Sequence, residues 1–135
     1  MPYSFKLAAT IPASPEAVYD AWLDSAGHSE MTGAKAIASD KVGAPFSAWD
    51  GYITGKNLEL VRAKRIAQSW RTSEFSKTDA DSTIIVTLAP AKGGTELTLE
   101  HSGVPDGDEH KGYEEGGWAD NYFKPMKAYF AKIAR

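Results

Sequence analysis

The sequence has 135 residues, of which 42% are hydrophobic and 24% charged, with a formal net charge of −3. Such a chain is long enough to bury a core, and its scattered Lys and Arg residues exclude a basic footprint for nucleic acid or an anionic membrane. No cysteine is present, which excludes a disulfide framework, a thiolate nucleophile and a Cys-based metal site.

The N-terminal MPYSFKLAATIP lacks the basic start and long apolar run of a signal peptide. No stretch approaches the ~20 apolar residues of a membrane span. The expected compartment is the reducing cytoplasm. Tyr3 to Ile11 alternates polar and apolar residues and reads as a strand. IPASPEAVYDAWLD then carries the punctuation of a helix start. Ser14 is a candidate N-cap, Pro15 suits the first helical position, and Glu16 favours the positive end of the dipole. Val18 and Trp22, four residues apart, face inward. A second short helix is expected from Ala26 to Thr32, closed by Gly33.

From Ala34 onward the period changes to two. PFSAWDGYITG carries Asp50-Gly51 between β-rich runs, a strong hairpin signal, and Leu58 to Val61 continues the second arm. RIAQSWRTSEF, STIIVTLAP and TELTLEHSG follow as strands, separated by the turns KTDAD and AKGG. Alternation puts Leu97, Leu99 and His101 on one face and Glu96, Thr98 and Glu100 on the other. Val86 and Leu88 pattern with the first set, and Ile66, Gln68 and Trp70 lie opposite Ala67, Ser69 and Arg71. One face of the sheet is therefore expected to be wet and the other covered.

The covering element is the last stretch, EEGGWADNYFKPMKAYFAKIAR. At ~100° per residue, Trp118, Ala119, Tyr122, Phe123, Pro125, Met126, Tyr129, Phe130 and Ile133 share one apolar arc. Asp120, Asn121, Lys124, Lys127, Lys132 and Arg135 occupy the remainder. Pro125 is expected to bend the helix or break it, and Gly116-Gly117 to let its start swing as a gate.

The aromatic residues have two readings, as cavity lining or as plain core, and the core reading is favoured for each taken singly. Gln68 and His101 are polar groups on the inward face, and each needs partners. His101 either bonds a ligand's carbonyl or phenol or, the reading favoured here, is a core histidine satisfied by a neighbour. Trp49, beside the turn, is expected on the outer face. His28 and Glu30 form a His-x-Glu pair with no third metal ligand at suitable spacing. Gly93-Gly94 and Gly116-Gly117 lack the strand–loop–helix context of a phosphate loop. Ser102 follows His101 but faces the other way. No cofactor and no metal are expected, and the sequence leans away from an enzyme, His101 being the one nominee for a base.

The pattern Gly43-x-x-Phe46, Gly51, Gly55, Trp70-Arg71, Gly103-x-Pro105 and Gly117-Trp118 carries a resemblance in both order and spacing. The chain resembles the family related to the C-terminal domain of the heat-shock-protein-90 ATPase activator, within the START-like (birch-pollen-allergen-like) superfamily. The similarity runs over nearly the whole chain, and EHSGVP looks like the stand-alone bacterial branch. The companion chaperone-binding domain of the eukaryotic activator is not expected. The resemblance implies one START-like domain over residues 1–135, with an α+β helix-grip fold. In that fold a curved antiparallel sheet of six to seven strands wraps around a long C-terminal helix, with two short helices after the first strand.

The resemblance also implies a cavity between helix and sheet, since superfamily members bind lipids, sterols or polyketide-like aromatics. The expected function is binding of a hydrophobic, aromatic or lipid-like small molecule. The expected lining is Trp22, Phe46, Gln68, Trp70, His101, Trp118, Tyr122 and Met126. The first alternative is a protein-interaction domain that stimulates a chaperone ATPase in a stress response, which makes such an ATPase a candidate partner. The second is a polyketide-type cyclase or aromatase.

Overall fold

Ser14 and Pro15 start the first helix as their chemistry dictates. In the computed structural model, which describes residues 3–133, the Ser14 Oγ accepts a hydrogen bond from the Ala17 amide at 3.2 Å. Helix α1 (Pro15–Trp22) buries Val18, Tyr19 and Trp22. Helix α2 (Ser25–Thr32) begins one residue before the expected boundary, because the Asp24 carboxylate caps it by accepting from the Gly27 amide at 2.8 Å. Gly33, with φ of 84°, ends it in the left-handed conformation that glycine adopts without strain.

The strands are β1 (Tyr3–Ile11), β2 (Pro45–Ala48), β3 (Ile53–Val61), β4 (Arg65–Thr72), β5 (Ser82–Ala91) and β6 (Gly94–Val104). Among the described residues they form one sheet in the order β1-β6-β5-β4-β3-β2, with every pair antiparallel. The chain thus meanders from β2 to β6, and β1 closes against the last strand. On β5 and β6 the alternation holds: Val86, Leu88, Leu97, Leu99 and His101 are buried while Glu96 and Glu100 are exposed. On β4 it does not, because Ala67 and Ser69 are buried on the face expected to be wet. Both side chains are short. Ala67 is in register with the longer Glu59 and Ile85, and the Ser69 Oγ accepts from the Lys56 amide at 3.0 Å. Long neighbours shield small residues on a central strand.

The Asp50-Gly51 hairpin closes with Ala48 opposite Ile53. Trp49, Asp50 and Gly51 have φ of 52°, 58° and 88°, three consecutive left-handed residues of which only one is glycine. A bulge at Leu58 shifts the register of β3 against β4. Upstream of it, Gly55 approaches β4 so closely that a Cβ there would lie 1.9 Å from the Ser69 carbonyl oxygen. That contact admits glycine alone.

Helix α3 (Asp108–Lys111) leads into a π-helical turn, Tyr113–Gly117, interrupted by Gly116 at φ 133°. A second π-helical segment, Ala119–Phe123, runs into helix α4 (Lys124–Ile133). The effect of Pro125 takes a specific form. Proline has no N–H to give to the Asn121 carbonyl, and the Lys124 amide instead reaches back five residues to the Ala119 carbonyl. The turn widens and the helix continues. Its arc buries Trp118, Tyr122, Phe123, Met126 and Phe130, and leaves Asp120, Asn121, Lys124, Lys127 and Lys132 exposed. Ile133 departs from the expected arc at 55% exposure, because periodicity assumes that the covered surface reaches the end of the helix. Arg135, assigned from sequence to the polar face, lies outside the described residues. No helix among the described residues is long and apolar enough to cross a membrane.

The close approach at Gly55 is directly testable. Gly55→Ala forces a methyl group into backbone and is expected to lower stability by about 3 kcal/mol, the upper part of the overpacking range. Urea unfolding checks it, and a loss below about 1 kcal/mol would show that β3 and β4 can separate there.

Candidate ligand-binding site

Trp118 opens the last helix and stands at the centre of an aromatic cluster. Its ring centroid lies 4.9 Å from Tyr122, 5.6 Å from Trp70 and 6.5 Å from Trp22, the last in stacked geometry. Tyr113, on the turn before the helix, packs edge-on to Trp70 at 5.0 Å. Where this cluster meets the β2–β3 hairpin the packing is incomplete. An open pocket of about 400 Å³ remains, walled by Trp49, Tyr52, Trp70, Tyr113, Trp118 and Tyr122. Ile53, Glu74, Asn121 and the backbone at Gly112 and Gly117 complete its lining.

Of the eight residues expected from sequence, Trp70, Trp118 and Tyr122 line this pocket and the other five do not. Phe46 and Met126 are buried in the core. Trp22 donates its indole N–H to the Gln68 Oε1 at 3.2 Å, and Gln68 donates to the Asn57 Oδ1 at 2.8 Å. Asn57 in turn donates to the carbonyls of Ser39 and Lys41 at 2.8 and 2.9 Å. Gln68 therefore has its partners inside the protein and serves to tie the sheet to α1.

His101 is fully buried, and its neighbours fix its tautomer. The Trp118 indole can only donate, and it gives its hydrogen to the His101 Nδ1 at 3.2 Å. The proton therefore sits on Nε2, which donates to the Ser82 Oγ at 2.9 Å, and Ser82 donates to the Trp70 carbonyl at 2.6 Å. Ser82 lies on β5, and no local spacing in the sequence signals its pairing with His101. This Ser–His contact superficially suits nucleophilic catalysis, yet the order of donors leaves His101 no free lone pair to take the serine proton. Burial lowers its pKa to about 3. His28 is arranged alike: Nδ1 donates to the Trp22 carbonyl and Nε2 accepts from the Tyr122 hydroxyl, both at 2.8 Å. Burial lowers its pKa, opposed by the bond to the Trp22 carbonyl. Glu30 meets instead the Tyr129 hydroxyl at 3.3 Å, so the His28-Glu30 pair is not assembled.

The sequence reading missed six side chains of the pocket lining: Trp49, Tyr52, Ile53, Glu74, Tyr113 and Asn121. Trp49, expected on the outer face, is half-buried in the pocket wall because the left-handed turn rolls its side chain back. Among the described residues, its Nε1 is the one buried side-chain nitrogen or oxygen without a hydrogen-bond partner. The Tyr52 hydroxyl donates to the Glu74 carboxylate across the rim. At the helix start, the Gly117 amide is bonded to the Gly112 carbonyl at 2.7 Å and the Trp118 amide to the Tyr113 carbonyl. A Cβ on Gly117 would meet that Gly112 oxygen at 2.7 Å, so the Gly116-Gly117 pair forms a tight closed turn where a loose hinge was expected.

A six-stranded curved sheet gripping an aromatic helix, with a pocket at the helix start, defines a helix-grip α+β protein. The chain belongs to the Activator of Hsp90 ATPase homolog 1-like family, whose sequence model matches residues 12–131. It is 32% identical over 129 residues to the mouse activator of 90 kDa heat shock protein ATPase homolog 1, covering 96% of this chain and 37% of that protein. The crystal structure of an HSP90 activator from Plasmodium falciparum superposes with a TM-score of 0.84 at 24% identity, covering 96% of each chain. DynU16, from the dynemicin biosynthetic locus, shares the fold at a TM-score of 0.77 and 15% identity, over 95% of this chain and 47% of that one.

The buried histidine sets a pH dependence. His101 has its pKa depressed to about 3 in the folded protein against ~6.5 when unfolded. Its contribution is complete above pH ~6.5 and is lost as the pH falls toward 3, because only the unfolded chain binds the proton. Between pH 7 and pH 5 the stability gap between the parent protein and His101→Gln should narrow by about 2 kcal/mol in urea unfolding. A gap that does not move would show that His101 titrates like a free histidine.

Proposed function

We propose that this protein binds a hydrophobic, aromatic or lipid-like small molecule in the pocket between the start of the last helix and the β2–β3 hairpin. The observation that carries the reading is a volume of about 400 Å³ in which six of the eleven lining residues are Trp or Tyr. Small-molecule sites run from ~300 to 1,000 Å³ and are lined mainly by such side chains with a few placed polar groups. Trp49 supports the same reading from another direction. A buried donor left without an acceptor costs roughly 1–3 kcal/mol, and a ligand oxygen reaching Nε1 as the Trp49 side chain adjusts would recover it. A ligand of about 20 heavy atoms at ~0.3 kcal/mol per atom would bind with a Kd of tens of micromolar. The proposed setting is the cytoplasm, in keeping with a cysteine-free chain.

Titrating flavonoids, sterols and fatty acids while following Trp fluorescence and backbone amide shifts tests this reading. Perturbed amides should cluster at residues 49–53, 70–74 and 112–122. Trp49→Phe removes an unpaired donor, so apo stability should change by less than about 1 kcal/mol, while ligands bearing an oxygen acceptor should bind about tenfold more weakly. A panel that perturbs only surface amides away from these segments would refute the reading.

Family membership favours a second reading, contact with a chaperone ATPase. The chain spans 37% of the mouse relative's length, so the activator's full role is carried here only as a proposal. Two linked contacts can exceed either alone by ~10²–10⁴, so this chain by itself is expected to leave the ATPase rate of a purified chaperone of that class unchanged. Saturable stimulation at low micromolar concentration would instead make the chaperone the primary partner.

A further inference from the structure

We infer that the pocket selects a cation, an organic ammonium group such as a quaternary or tertiary amine on an apolar body. The inference rests on the pocket being a ligand site and adds the charge of what fills it. Three observations carry it. The lining holds six Trp and Tyr side chains and one charged group, the Glu74 carboxylate, with no Lys, Arg or His among its described residues. Aromatic rings carry a negative face, and aromatic walls beside a carboxylate are an arrangement that attracts ammonium cations.

The second observation concerns the helix start, which in most proteins offers free amides to an anion. Here the Gly117 and Trp118 amides are already bonded to the carbonyls of Gly112 and Tyr113. The third is that the arginine next to the pocket is already engaged elsewhere. The nearby Arg71 guanidinium pairs with Asp81 at 2.6 Å, donates to the carbonyls of Ser76 and Asp79, and lies over Phe75 outside the pocket lining. Glu74 accepts from Tyr52 through one oxygen, Oε1. A carboxylate can accept more than one donor, so capacity remains for a ligand. The Trp49 N–H, a neutral donor, adds an oxygen acceptor to the ligand without altering its charge.

Three probes of one shape separate charge from hydrophobicity: benzyltrimethylammonium, its uncharged isostere neopentylbenzene, and phenylmethanesulfonate. Each is titrated into the intact protein, with Trp fluorescence and amide shifts as readouts. The cation should bind about tenfold more tightly than the neutral isostere, and the anion should not bind. Glu74→Gln, an exposed and shape-conserving change, should remove most of that preference, read as the ratio of cation to neutral-probe affinity within the same variant. Equal or tighter binding of the neutral probe would overturn the inference and leave the hydrophobic pocket standing. A cation preference that survives Glu74→Gln would overturn the assignment of Glu74 as counter-ion. If none of the three probes, nor any compound of the hydrophobic panel, perturbs the pocket amides, the pocket reading falls with the inference.

Discussion

The hydrogen bond from the Trp118 indole to the His101 Nδ1 is the interaction on which the rest of the structure depends. It joins the first turn of the last helix to the concave face of the sheet. It also dictates the order of every donor behind it, through His101 to Ser82 and on to the Trp70 carbonyl. A fully buried polar chain is tolerable only if each member is satisfied, and this one is. Reversing any bond would leave a buried lone pair or proton unmatched, so the chain holds the helix in one rotational setting against β4 and β6. That setting determines how Trp118 and Tyr122 border the pocket.

The pocket exists because two pieces of unusual backbone meet around this anchored cluster. On one side, three consecutive left-handed residues fold the tip of the hairpin. On the other, Gly116 at φ 133° and a π-helical turn bring the chain into the helix. Backbone of this kind is disfavoured unless its surroundings hold it, and it concentrates where ligands bind. At Gly112 and Gly117 the helix-side wall carries no side chains to fill the space between them.

Kinship with the Hsp90-activator family accounts for the architecture and says less about the chemistry. The match over residues 12–131 takes in five of the six strands and most of the gripping helix, and the fold persists in structures down to 15% identity. A scaffold that tolerates so much change leaves its function to the few positions lining its openings. Around the pocket of this chain six of the eleven positions are aromatic and one is a carboxylate. A small-molecule site at the helix start and a protein contact elsewhere on the surface are compatible uses of one fold.

Much of the fold was legible in the sequence, and for local reasons. Ser14-Pro15, Gly33 and Asp50-Gly51 act within a few residues of themselves, so they marked the start of α1, the end of α2 and the tip of the hairpin without help from the rest of the chain. Period-two alternation likewise put Leu97, Leu99 and His101 inside. It did not foresee that Ala67 and Ser69 are covered, because burial of a short side chain depends on how far its cross-strand neighbours extend. Nor did the arc of the last helix indicate that Ile133 lies beyond the surface covering the others. The aromatic residues were identifiable as inward, but periodicity gives direction and carries no information on volume. Whether Trp22, Phe46 and Met126 pack solid while Trp70, Trp118 and Tyr122 border a void depends on the distance between hairpin and helix. Residues far apart in the chain fix that distance. The same holds for His101: its position followed from alternation, but its tautomer depends on Ser82 from one strand and Trp118 from the helix, partners that only the folded chain brings within 3.2 Å.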